Sequence, residues 1–176
     1  MSSVDSNAKL RVSTKREYVP EDKLRELASD PNGSLFHETW MLNQAAARCT
    51  KPTGDEGLET HVLNTMAIEC FLIHFRNLRD FLYPDADSAD NRDNVIARDY
   101  DSGWLKTDSD WKPCSRNERN RINKLLAHIS YSRRHLDHSW PIQAMWQQMM
   151  QRLAGFIRSL PAERREWFKA WGLKKT

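Results

Sequence analysis

Glycine is scarce: the chain holds 6 among 176 residues, below the roughly 7% of average usage. Cysteine is scarcer still. The three cysteines, Cys49, Cys70 and Cys114, are an odd number with no CxxC spacing. That excludes a disulfide framework and a thiolate zinc site, and favours a reducing compartment. Long hydrophobic runs are missing as well. The longest are a few residues, such as Cys70-Phe71-Leu72-Ile73, far short of the roughly 20 that span a bilayer. The first 18 residues contain no apolar segment of the secretory type, so the expected setting is the cytoplasm. Nor does charge of one sign dominate. A net charge of +3 does not by itself mark a nucleic-acid binder.

What is present points to helix. The 17 leucines outnumber valine and isoleucine together, which total 12. Few glycines, many leucines and few β-branched residues favour helix over sheet. A length of 176 residues suits one domain. The expected organisation is a flexible tail over 1–19 and a single helical domain over 20–172.

Along the chain, Pro20-Glu21-Asp22 reads as a helix start, with proline early and acids in the first turn. Asp30-Pro31-Asn32-Gly33 reads as a turn, and Ser34 to Cys49 as a second helix. Thr53 and Glu56 have capping-box spacing. The helix behind them, about Asp55 to Leu82, is the strongest element. Leu58, Val62, Met66, Ala67, Cys70, Ile73, Leu78 and Phe81 recur along it at helical spacing. Residues 84–114 form a long polar connection, with a short helix expected over Asp93 to Tyr100. Ser115 and Glu118 make a second capping box, opening a helix to about Leu136. Another runs from Ser139-Trp140-Pro141 to about Ser159, and a short one from Pro161 to Trp171. The fold class is therefore all-α, a helical bundle of four main helices plus short ones.

Two helices carry residues of chemical interest. On the long helix His74 shares a face with Ala67, Cys70, Leu78 and Phe81, which points its imidazole into the bundle. Glu69, Arg76 and Asp80 lie on another stripe, with Arg76 and Asp80 spaced to pair at i, i+4. On the later helix Arg121, Lys124, His128, Tyr131 and His135 project to roughly one side. Arg121 and His128 stand two turns apart, about 10 Å along the axis. Two such helices across a dimer axis would bring four groups together. Cations would then hold a phosphodiester while a histidine moves a proton near neutral pH. A solvated basic face, with His128 bonded to the long helix, is the alternative.

Arg121, six intervening residues and His128 resemble the R-x(4–6)-H motif of HEPN domains. Arg133 and His138 match the same pattern. The resemblance spans about residues 55–160 as architecture. It implies a small bacterial or archaeal helical bundle, often dimeric, and a metal-independent RNase of a defence or toxin system. Arg121 would hold the scissile phosphate and His128 would act as general acid or base. His74, Arg76 and Asp80 would position them, with Tyr131 and Asn123 in support. Ile122 stands where a polar residue often follows the motif arginine, so Asn123 or Asn120 would take that place.

No cofactor is expected. Glu56, Glu59, His61, Glu69 and His74 miss the spacing of a di-iron bundle. His128, His135 and His138 form the one zinc set worth weighing, without an HExxH motif. Asp85, Asp87, Asp90 and Asp93 lack the glycine and terminal glutamate of a calcium loop. Among the seven tryptophans, Trp40 and Trp146 fall in helical stripes and are expected in the core. Trp104, Trp111 and Trp140 flank irregular segments, as staples for the connection or as anchors for a partner. Two functions follow. One is a HEPN-like nuclease acting on RNA as a homodimer. The other is a non-enzymatic interaction module with a protein partner, in which a buried His/Arg/Asp network fixes the packing.

Overall fold

A computed structural model describes residues 19–30, 34–49, 57–84, 94–104, 116–127 and 139–171. Of the described residues 84% are helical and none is in a strand, which establishes the all-α class. Helix α1 is Glu21–Ser29, α2 Ser34–Cys49, α3 Leu58–Leu82, α4 Ala97–Tyr100, α5 Arg116–Ala127, α6 Ile142–Ser159 and α7 Ala162–Arg165. A 3-10 helix, Glu166–Trp171, follows directly.

The short elements form where local chemistry asks for them. Proline at the N-cap of α1 sets the entry, with Glu21 and Asp22 in the first turn, where acids complement the helix dipole. Helix α4 starts later than the expected Asp93. Val95 and Ile96 stay outside the helix, and the Asp99 carboxylate accepts from the Ile96 amide at 2.8 Å. Helix α3 begins at Leu58, with Gly57 at its N-cap. The Thr53–Glu56 box, the tail 1–18 and the segment 128–138 lie outside the described residues.

The core gathers buried residues from every described helix but α7. Leu24 and Ala28 of α1, Leu42 of α2, and Phe71, Leu72, Phe75, Leu78 and Leu82 of α3 are fully enclosed. Met149, Leu153 and Phe156 of α6 close it. Val19, which the sequence assigned to the tail, packs against this core. The aromatic end is dense. Phe156 meets Phe81, Tyr100, Trp104 and Phe168 edge to face, at centroid distances of 5.2 to 6.1 Å.

Three aromatic polar groups tie this end together. Tyr100 Oη donates to the Leu24 carbonyl at 2.9 Å. Burial, then the neighbouring Asp99 charge, pushes the Tyr100 phenol well above its ordinary pKa. Trp104 Nε1 donates to the Leu82 carbonyl at 3.1 Å and Trp171 Nε1 to the Ala28 carbonyl at 2.9 Å. Both acceptors lie in the last turn of a helix, where carbonyls have no intrahelical partner. Indole rings thus cap α1 and α3 while filling the core. Trp104 staples the described part of the connection to the bundle, as one of the two sequence expectations had it.

The core expectation needs correction at α2 and α3. Trp40 is 48% exposed, whereas Trp146 of α6 is half-buried and packs against the core as expected, its Nε1 donating to Asn43 at 2.7 Å. Leu58, Val62, Met66 and Ile73 are exposed too. Helix α3 has 25 residues and α2 has 16, about 37 Å against 24 Å. Every buried residue of α3 falls at or after Phe71, so the N-terminal half of α3 contributes no fully buried side chain.

Candidate functional site: a polar seam and cleft between α2 and α3

Helices α2 and α3 form the most extensive helix pair in the fold, and a polar network runs along their seam. His74 Nδ1 lies 2.7 Å from Glu38 Oε2, with side-chain exposures of 12% and 20%. Asn77 Nδ2 donates to the same oxygen at 3.1 Å. His37 meets His74 edge to face at 5.7 Å. A half-buried carboxylate with two donors on one oxygen orients both donors. His74 is therefore a seam residue bonded to a polar neighbour on α2. It does not point into the apolar centre.

One turn on, Arg76, Arg79 and Asp80 form a second cluster. Arg79 Nη1 donates to Asp80 Oδ1 at 2.6 Å. The expected Arg76–Asp80 pair is present but longer, Nε to Oδ2 at 3.8 Å. Two guanidinium groups share one carboxylate, and the nearer one takes the short contact.

Both clusters border a cleft of about 630 Å³ between α1, α2, α3 and the segment 94–96. Lys23, Ser34, Glu38, Arg76, Asn77 and Asp80 make its polar side. Leu27, Leu35, Phe81, Val95 and Ile96 make its apolar side. The volume falls in the range of small-molecule sites, about 300–1,000 Å³.

Glu38 was missed by sequence reasoning, although a signal existed. It stands three residues after Leu35 and four before Leu42, both buried. A carboxylate on the apolar stripe of a helix needs a partner. Removing it is expected to be felt. Glu38→Ala leaves His74 and Asn77 without their acceptor and should lower unfolding free energy by about 1–3 kcal/mol, read by urea denaturation. Glu38→Gln, which keeps an acceptor oxygen, should lose less.

The second proposed site is described only in part. Arg121 Cζ sits 3.8 Å over the Trp140 ring centroid, and Nη2 donates to the Ser139 carbonyl at 2.7 Å. The segment just before α6 thus holds the guanidinium of α5. Asn123 Oδ1 and Trp140 Nε1 are buried without hydrogen-bond partners among the described residues. His128, the expected acid or base, lies outside the described residues with Tyr131, as do His135 and His138 of the zinc set. Among the described residues no group of three His, Cys, Asp or Glu side chains is placed to hold a metal ion. No described helix is long and apolar enough to cross a membrane. Cys49 and Cys70 are free thiols. Burial raises both pKa values, with the neighbouring Cys70 adding to the shift at Cys49 and Glu38 to that at Cys70.

No protein-family model matches this chain, and no curated protein or solved structure does either.

Proposed function

We propose that the chain is a non-enzymatic helical interaction module whose partner is a protein. The observation that carries this reading is the second apolar face of α3. At 100° per residue, Leu58, Val62, Met66 and Ile73 fall on the side opposite Phe71, Phe75, Leu78 and Leu82. The second set is buried and the first is exposed, with Met66 58% accessible. From Leu58 to Ile73 the stripe runs about 22 Å. Scattered exposed leucines need no explanation, but large apolar side chains gathered on one helix face, here interrupted by Glu69 between Met66 and Ile73, mark a contact surface. The polar groups of α3 fit the same reading. His74 and Asn77 are bonded to Glu38, and Asp80 to Arg79, as a packing network requires.

One observation favours a second reading. Arg121 is oriented by a ring on one side and a carbonyl at one end. A pre-set guanidinium is what phosphate recognition uses. In that reading the chain is the HEPN-like RNase of the resemblance, with His128 as acid or base.

A photo-crosslinking residue at Met66 separates the two. The module reading expects a discrete protein adduct in cells from position 66 and none from Gln148, an exposed position on α6. No adduct at 66, together with RNA cleavage in EDTA by the unmodified chain that His128→Ala abolishes, would transfer the conclusion to the nuclease.

A further inference from the structure

The cleft offers chemistry that the α2–α3 network leaves unused. Arg76 lines it, and its Nε is buried with no hydrogen-bond acceptor. The nearest carboxylate oxygen, Asp80 Oδ2, is 3.8 Å away, past hydrogen-bonding length. Asp80 is drawn instead to Arg79 at 2.6 Å. Arg76 and Arg79 bring two positive charges to one negative charge, so this turn of α3 keeps a surplus cation. Lys23, at the same cleft, already pairs with Glu26 at 2.7 Å.

Facing Arg76 are apolar side chains from three other places in the chain: Leu35 from α2, Leu27 from α1, and Val95 and Ile96. Nε itself is enclosed, so a ligand would meet the outer Nη groups of this partly exposed side chain; beside an apolar wall, such a guanidinium suits a ligand with an anionic head and a hydrocarbon body. Carboxylate matches the planar fork of arginine. The head group carries a single negative charge, because Glu38 and Asp80 border the same space and repel a polyanion.

We propose that this cleft binds a small amphipathic monocarboxylate, its oxygens accepting hydrogen bonds from Arg76 and its hydrocarbon body lying against Leu35, Val95 and Ile96. The cleft residues Arg76, Asn77 and Asp80 continue the same side of α3 beyond Ile73, but the proposal concerns the cleft alone and does not rest on the protein-docking reading.

The test uses the full chain and three probes of the same shape: 4-phenylbutyrate, 4-phenylbutanol and 4-phenylbutylamine. Isothermal titration is expected to show saturable binding of the carboxylate, at least tenfold tighter than the alcohol or the amine. In nitrogen-edited NMR spectra the carboxylate should shift the amides of Leu35, Val95 and Ile96. Arg76→Gln should weaken binding about tenfold. Val95→Trp, which fills the cleft and leaves Arg76 in place, should abolish it. Circular dichroism establishes that each variant is folded, so weakened binding in both folded variants supports the site, and binding unchanged in folded Arg76→Gln overturns it. No saturable binding, equal binding of the three probes, or carboxylate binding unchanged in Val95→Trp would overturn it.

Discussion

Phe156→Ala is expected to lower the unfolding free energy by about 3–5 kcal/mol, the range for a fully enclosed aromatic side chain cut back to alanine. Phe156 is 0% exposed, and four aromatic neighbours come from four different parts of the chain. Phe81 belongs to α3, Tyr100 to α4, and Phe168 to the 3-10 helix, while Trp104 ends the described part of the connection. Two of those rings, Tyr100 and Trp104, are anchored by their bonds to the Leu24 and Leu82 carbonyls, so they cannot collapse freely into the vacated space. The cost should therefore fall toward the upper end of the range. Guanidinium denaturation checks it. The midpoint should drop with the slope unchanged, since the surface exposed on unfolding stays nearly the same. Phe156→Leu should recover much of the loss.

Trp104→Ala should be similarly costly, about 3–5 kcal/mol, with a second signature. The indole is 5% exposed and donates to the carbonyl of the last residue of α3. Truncation both opens a cavity and leaves that helix end without its donor. Trp104→Phe separates the two effects, since it keeps most of the ring volume but cannot donate; it should cost about 1–3 kcal/mol. Amide exchange should speed up selectively over 97–104 and at the end of α3 in both variants, ahead of the global change. Phe156 and Trp104 touch at 5.2 Å, so the double variant should deviate from additivity by about 0.5–3 kcal/mol.

Much of the architecture was legible because helix punctuation is local. Ser34 to Cys49 matches α2, Ser159 closes α6, and Pro20 opens α1, each marked by proline, turn residues or acids within a few positions. Burial was less legible. Periodicity shows that a helix has an apolar stripe, but α3 has two, and only the neighbours decide which is covered. Leu78 and Phe81 have α2 and α6 against them; Leu58 and Val62 lie beyond the part of α3 that holds the core. The polar seam was half legible. His74, Arg76 and Asp80 could be singled out on their own helix. Their organising partner, Glu38, lies 36 residues earlier than His74, and the i, i+4 rule says nothing across helices. Asp80 illustrates the limit of that rule even within one helix, since its short contact is with the adjacent Arg79.

Trp171 also sets a timetable. Its indole closes a bond to Ala28 across 143 residues, and the same 3-10 helix packs on α1. Helix α1 is therefore fixed in place by residues made long after it. Until they arrive, Leu24 and Ala28 have lost one wall of their enclosure, and a nine-residue helix is too short to persist alone. During synthesis the pairing of α2 with α3 can form early, since those helices are neighbours in sequence. The seating of α1 must wait. Contacts of such long separation slow folding, and they leave α1 unseated until Trp171 has been made.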